Sequence, residues 1–393
     1  MRDKHLENRP IEKVVGGYRI ILESLLKQPE TETIPMSEAL GRITARGCRS
    51  QFTNPHFNPY ATGRTNVKAA DAFVPTEFVP IELNPEKLTV VNIGGPIPTG
   101  FDTVLMVEEL VFEGKRAVLR DASHAWKHVK KISLRLYRED IILPSHTKLT
   151  PAAIGALLVG GVTKIEVLKK VRVGIIPYGN TLSPAGDNVH MLRAALLRAG
   201  CDIKRYDIED TPDSLKEALS RAAAENDMVI LNANSLGGRD NDSKKAIEET
   251  GGAFTHPIAM RPGNPVVLGI YGHVIAIGLP GYPVSTLTAL EQLVFPAIEI
   301  MTQNTPSPPD MAAAPLLRRA VPDLKYKDFL QVKLEYVEDK LIATPIDGDG
   351  RAISSLVKAD GIVTIPFKGD GIDADENVEL TLLRPLAKVG TDS

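Results

Sequence analysis

Apolar and polar positions along the chain follow two rhythms, and the change between them divides it. Between residues 10 and 28, Val14, Tyr18, Ile21, Leu25 and Leu26 recur at helical spacing, which predicts an amphipathic helix closing near Lys27–Pro29. Met36–Leu40 reads as helical and Arg42–Arg46 as extended, while Cys48 to Ala72, rich in Asn, Pro and Thr, reads as a long loop. From 79 to 120 the pattern breaks into short β-like runs, Leu88–Ile93, Thr103–Val107 and Ala117–Leu119. Gly94–Gly95–Pro96 and Pro98–Thr99–Gly100 punctuate them as turns, so this part is expected to be a small, mostly β domain.

From Lys148 strands and helices alternate. Helices are predicted over Thr150–Gly160, Val189–Ala199, Pro212–Glu225 and Lys244–Thr250. Strands are predicted over Thr163–Leu168, Val171–Ile176, Ile203–Asp207, Met228–Leu231 and Val274–Gly278. The last strand runs into a turn of Gly278, Pro280 and Gly281, then a helix to Met301 with Leu287, Leu290, Leu293 and Val294 on one face. A strand, a glycine turn and a helix N-terminus together aim backbone N–H groups at one point, a natural anion site, although an ordinary strand–helix joint has the same pattern. The alternation predicts a parallel sheet covered on both faces, with a ligand site at the carboxyl ends of its strands. Loops 177–188, 232–243 and 278–285 leave such ends. Residues 304–315 (NTPSPPDMAAAP) read as a linker, and the short strands Phe329–Tyr336, Leu341–Pro345, Gly361–Pro366 and Val378–Leu383 predict a small β-barrel or sandwich after it.

Composition narrows the classes. A chain of 393 residues is long enough for two to four domains. A formal net charge of −3 gives no general attraction to nucleic acid or anionic lipid, and an aromatic content of 5% with one tryptophan, Trp126, provides no base-stacking platform. No apolar run approaches the roughly 20 residues that span a bilayer, and the N-terminus is too polar for a secretory signal. Two distant cysteines, Cys48 and Cys201, exclude a disulfide framework and a zinc cluster. The expectation is a cytoplasmic protein that engages neither nucleic acid nor membrane.

Several stretches, taken together, resemble the molybdopterin molybdenumtransferase family, MoeA and the E domain of gephyrin. They are ALGRITAR at 39–46, GGPIPTGFDTVLMVEE at 94–109 and KLTPAAIGALLVGGVTKIEVLKKVRVGI at 148–175, then MRPGNP at 260–265, GLPGYPVS at 278–285 and ISSLVKADGIVTIP at 353–366. The resemblance implies a multidomain α/β and β fold. Residues 1–47 and 128–168 would form an elongated discontinuous domain and 48–127 an inserted β-rich domain. Residues 169–303 would form a parallel-sheet MogA-like α/β domain that binds molybdopterin, and 304–393 a C-terminal β-barrel. It also implies a homodimer acting with a cofactor-pathway enzyme or molybdoenzyme partner, and a reaction that inserts molybdenum from molybdate into adenylylated molybdopterin with a divalent cation.

Such a site needs N–H groups and cations for phosphate and carboxylates for a hard metal ion. The family supplies the acids from four loops, and here most positions differ. The PxFDxSxMDGYA loop becomes HFNPYATGRTNVKAAD, with Asn58 and Gly63 at the aspartates. A GED motif aligns with Ser133–Leu134–Arg135, and Asp140 is a possible substitute nearby. STGDEL becomes Pro177–Leu182, with Asn180 and Thr181 at the acids. SSGGVSVGEADYT becomes LNANSLGGRDNDS, with Arg239 and Asn241 at the acids and Asp242 one place on. PGKP becomes PGNP, where Asn264 replaces the lysine and Arg261 keeps a positive charge. An amide preserves the shape of a carboxylate without its charge. The phosphate-facing set is otherwise retained, Gly94, Gly95, Thr99, Gly100, Gly238, Arg261, Gly263, Gly281, Ser285, Ser354 and Ser355, and Asn264 joins it as a candidate ligand in place of the lysine. The sequence therefore points to a relative that binds molybdopterin or its adenylylated form with metal insertion weakened or lost. The alternatives are a transferase that uses altered ligands (Asp140, Asp187, Asp240, Asp242) and a ligand-free interaction scaffold.

Overall fold

A computed structural model describes residues 9–25, 29–53, 65–67, 81–83, 89–90, 99–113, 116–119, 124–128, 136–178, 188–233, 240–249, 253–254, 258–304, 309–338, 340–346 and 353–385. The chain forms two compact units, Glu32–Val167 and the combination of Met1–Thr31 with Leu168–Ser393.

The larger unit is built on a six-stranded sheet in the order Asp202–Arg205, Arg172–Tyr178, Met228–Ala233, Val274–Leu279, Val267–Tyr271, Ala253–Phe254. The first four strands are parallel. The last two run antiparallel, which corrects the expectation of a wholly parallel sheet. The reversal comes from a two-residue turn, Gly272–His273, between Tyr271 and Val274. Its first position, Gly272, has φ +62°, where a type II′ turn requires glycine.

Strand periodicity sorts the core into two layers. Val173, Ile175, Met228, Ile230, Ile275 and Ile277 face one cluster with helices Val189–Arg198 and Pro283–Thr302. Ile176, Val229, Leu231 and Ala276 face the other, with helices Pro212–Glu225 and Asp240–Glu248. The buried Leu192 and Leu196 of Val189–Arg198 each contribute roughly 1.5–3 kcal/mol by leaving water. The opening helix, Ile11–Leu25, belongs to this unit because Ile11 is buried in the first layer and Arg9–Pro10 runs parallel to Ile258–Ala259. Helix Pro212–Glu225 starts where Thr211 accepts a hydrogen bond from the Ser214 N–H, with Pro212 in the first turn. Helix Asp240–Glu248 begins four residues before the expected Lys244.

One helix, Pro283–Thr302, is long and apolar enough by length and composition to cross a bilayer, contrary to the sequence expectation. It lies in the core: Ala289, Leu290, Leu293, Val294, Ala297 and Ile298 are all buried in the first layer. A π-turn at Leu290–Val294 interrupts it, and the Phe295 N–H donates to the Leu290 carbonyl. The next residue, Pro296, has no N–H and crowds the carbonyl four residues back, which accounts for the register change.

The C-terminal part holds Met311–Pro315, Lys327–Val337, Lys340–Pro345, Gly361–Ile365 and Asn377–Leu382. Met311–Pro315 pairs with Asn377–Leu382, so the second half of the expected linker is a strand. Leu316 bridges Ala343 and the Leu317 N–H donates to the Ala343 carbonyl at 2.8 Å, which brings the five strands back on themselves around Val332, Val363 and Leu380. Strand Ile258–Arg261 adds in parallel to the outside of Lys327–Val337.

In the smaller unit, helix Pro151–Val159 is capped by Thr150, whose hydroxyl accepts from the Ala153 N–H at 3.2 Å. Its core is Ile34, Met36, Ala39, Leu149, Leu157 and Val167. Two three-stranded sheets follow the expected β-rich stretch, one with Thr65–Val67 between Thr89–Val90 and Thr103–Leu105, the other with Arg116–Leu119 between Ile81–Leu83 and Leu110–Glu113. Cys48–Arg49 and Thr65–Val67 are strands inside the segment expected to be loop.

Candidate functional site

In the larger unit the strand ends predicted to carry the site lie side by side: Tyr178 is opposite Ala233, and Asn232 opposite Leu279. The turn after Leu279 is held by side chains from three elements. Buried Asn232 donates its amide to the Pro280 carbonyl at 3.3 Å, and the buried Thr286 hydroxyl donates to the same oxygen at 2.6 Å. Asn188, at the start of helix Val189–Arg198, donates to the Gly281 carbonyl. With these carbonyls turned toward protein donors, Gly281 is pinned at the head of helix Pro283–Ala289. Ser285 is buried within its first turn, where N–H groups have no intrahelical acceptor. Asn188, Asn232 and Thr286 were not singled out from sequence; the signal available was a polar residue ending an apolar run, as in MVILN.

Short helix Ile353–Lys358 packs beside Pro283–Ala289, so the structure brings the Ser354–Ser355 motif close to the Ser285 helix. Ser355 is buried and Ser354 exposed.

Arg261 has another engagement. Its Nε and Nη2 donate to the two Asp328 carboxylate oxygens at 2.8 and 2.5 Å, and Nη1 lies 3.9 Å from Asp323. The positive charge expected beside the PGNP turn is thus neutralised by a buried carboxylate. Gly263, at φ +132°, sits where a Cβ would meet the Met260 side chain at 2.9 Å, so this turn requires glycine. Asn264 donates its amide to the Ile258 carbonyl, which makes it a brace of the turn.

Asp242 is half-buried on helix Asp240–Glu248, and its Oδ2 accepts a hydrogen bond of 3.0 Å from the buried phenol of Tyr178. Asn241 is on the same helix. In the smaller unit, Thr99 and Gly100 lie in an exposed turn, with Gly100 at φ +94°. The Asp140 carboxylate accepts from the Tyr137 N–H at 2.7 Å and so closes its own turn. Asn58, Gly63, Gly94, Gly95, Arg135, Asn180, Thr181 and Gly238 fall outside the described residues. Among the described residues no group of three His, Cys, Asp or Glu side chains is placed to hold a metal ion. Burial pushes both thiols above their ordinary value, Cys201 to about 12, so neither is a ready nucleophile.

A layered α/β domain with a braced turn at its strand ends, followed by a small β domain, defines a multidomain α/β and β protein. Three family models match in series: the MoeA N-terminal region (domain I and II) over residues 13–161, a Probable molybdopterin binding domain over 174–300, and the MoeA C-terminal region (domain IV) over 313–383. The chain belongs to the MoeA family. It is similar to the molybdopterin molybdenumtransferase of Bacillus subtilis, at 25% identity over 91% of each chain, and to that of Haemophilus influenzae, at 24% identity over 92% of this chain and 96% of that one. A Methanocaldococcus jannaschii protein assigned to molybdopterin biosynthesis is 26% identical over 95% of this chain and 97% of its own. In fold, the molybdopterin biosynthesis MoeA protein of Pyrococcus horikoshii superimposes with a TM-score of 0.76 over 96% of this chain and 100% of that one, at 23% identity.

Proposed function

We propose that this protein serves molybdenum cofactor biosynthesis by binding molybdopterin or its adenylylated form at the strand ends of the larger unit, with insertion of molybdenum weakened or lost. One observation carries the reading: the acid positions of the family motifs hold Asn58, Gly63, Arg135, Asn180, Thr181, Arg239 and Asn241. The nearby Asp242 is tied to Tyr178. Amide and hydroxyl oxygens without charge fit Mg²⁺ poorly, since that ion is usually held through carboxylates and phosphates. No step is therefore assigned to a divalent ion here. What this chain's residues do is bind and orient. The turn braced by Asn188, Asn232 and Thr286 presents N–H groups to an anionic ligand. The same reading includes a cytoplasmic homodimer that hands its ligand to a cofactor-pathway enzyme or molybdoenzyme.

The test supplies the purified protein with adenylylated molybdopterin, molybdate and Mg²⁺ and follows both binding and AMP release. Binding without turnover is expected. Turnover at the rate of acid-complete family members overturns the loss of insertion, and absence of binding overturns the ligand assignment.

A further inference from the structure

The opposite end of the same sheet carries a cavity that the proposed function does not use. It has a volume of about 690 Å³ and lies at the amino ends of strands Arg172–Tyr178, Met228–Ala233 and Val274–Leu279. Its floor is apolar, made by buried Leu168, Val171 and Ile275 with half-buried Met301. Ala223 and Ala224, from the end of helix Pro212–Glu225, form one wall. A hydrogen bond between the Ser220 and Tyr271 hydroxyls, both of which line the cavity, ties that helix to the strand end before the Gly272–His273 turn.

The rim is charged and unequal. Lys169 pairs with Glu30 at 2.7 Å, and Arg172 pairs with Asp227 through two hydrogen bonds of 2.7 and 3.1 Å, so these four charges cancel. Lys170 and His273 also line the cavity and are exposed, and among the described residues neither has an ion-pair partner. The mouth therefore has a cation and an imidazole in excess over its carboxylates. Volume, floor and rim together match the size and lining of a small-molecule site, roughly 300–1,000 Å³ with a few placed polar groups.

We propose that this cavity is a second binding site, specific for a small molecule that joins a ring-sized apolar body to a single anionic head. The body lies on Leu168, Val171, Ile275 and Met301, and the head meets Lys170 and His273.

The test uses the full chain and two fluorescent probes of similar shape: 8-anilinonaphthalene-1-sulfonate, which is anionic, and N-phenyl-1-naphthylamine, which is neutral. One saturable sulfonate site per chain is expected, with the neutral probe weaker by about tenfold. Lys170→Glu weakens the sulfonate at least about fivefold and leaves the neutral probe unchanged. Ala224→Trp, at an exposed wall position, removes both, with circular dichroism showing the fold retained. Equal binding of the two probes, or indifference to Lys170→Glu, overturns the anion assignment. Indifference to Ala224→Trp, or no saturable site, overturns the cavity itself. Neither probe depends on molybdopterin, so failure here is separable from failure of the proposed function.

Discussion

Arg261 and Asp328 offer the sharpest test of how the α/β core is joined to the strands that follow it. The Asp328 side chain is 8% exposed and that of Arg261 45% exposed. The carboxylate accepts three hydrogen bonds, two from the guanidinium and one of 3.2 Å from the Asp323 N–H. Removing one member of a fully buried ion pair costs about 3–5 kcal/mol because the other is left charged and unsolvated. Here the two partners differ. After Asp328→Ala the guanidinium is already half in water and can rehydrate, so the cost falls to about 1–2 kcal/mol. After Arg261→Ala the carboxylate keeps only the Asp323 N–H in a site nearly closed to water, and the cost rises to about 2–4 kcal/mol.

The expected order is thus Arg261→Ala more damaging than Asp328→Ala, with the double variant losing less than the two single losses combined. Guanidinium unfolding followed by far-UV circular dichroism measures it. Tryptophan emission is the wrong signal, because the one tryptophan, Trp126, belongs to the other compact unit. If Asp328→Ala costs as much as Arg261→Ala, or if the single losses simply add, the asymmetry of solvation argued from the structure is refuted.

Three further outcomes follow from separate parts of the molecule. Gly174→Ala places a Cβ 3.0 Å from the Asn226 amide nitrogen and 3.1 Å from the Tyr206 ring, so thermal unfolding is expected to show a loss of about 1–3 kcal/mol. Burial acts to raise the Glu109 carboxyl, but the Lys127 ammonium at 2.6 Å and the Met106 N–H at 2.8 Å outweigh it and hold it below its ordinary value of 4.5. A depressed carboxyl contributes stability that is present above 4.5 and fades as pH falls through the folded value. The advantage of the parent over Glu109→Gln therefore shrinks between about pH 5 and pH 3, and an advantage that stays constant with pH would contradict the pairing. Restoring Asn58→Asp, Asn180→Asp and Asn241→Asp together is expected to create calorimetrically detectable Mg²⁺ binding, and unchanged affinity would count against the placement of those loops.

The layered core was legible because each element carries its own boundary marks. Pro212–Glu225 has the bounds expected from sequence, and the structure shows why: Thr211 caps its start and Asn226 turns to an extended conformation at its end. Where boundary marks are weak, reading failed in a physical way. PVVLGIYGHVIAIG is nearly one apolar run, and only the two residues Gly272 and His273 separate two antiparallel strands within it. Asp240–Asn241–Asp242–Ser243 reads as loop because polar residues open the helix, yet Ser243 is buried within it, at 1% exposure.

The candidate site could be named in sequence only by residue types and not by pairings, and that difference changes its chemistry. A sequence shows Arg261 as a cation beside a glycine turn, but the charge is cancelled by Asp328, 67 positions away. It shows Asp242 as a substitute acid, but Tyr178, 64 positions away, donates a hydrogen bond to it. Likewise the carbonyls of Pro280 and Gly281 are satisfied from Asn232 and Asn188, 48 and 93 positions earlier. The Asp328 pairing cancels a charge, whereas the Tyr178 hydrogen bond fixes the position of the Asp242 carboxylate and leaves its charge in place. What the turn keeps is the N–H groups of its non-proline residues, which only a substitution to proline removes. On the proposed reading, a turn whose carbonyls are held from three elements keeps backbone donors for an anion, while the uncharged or basic side chains at the family's acid positions give a metal ion little to bind.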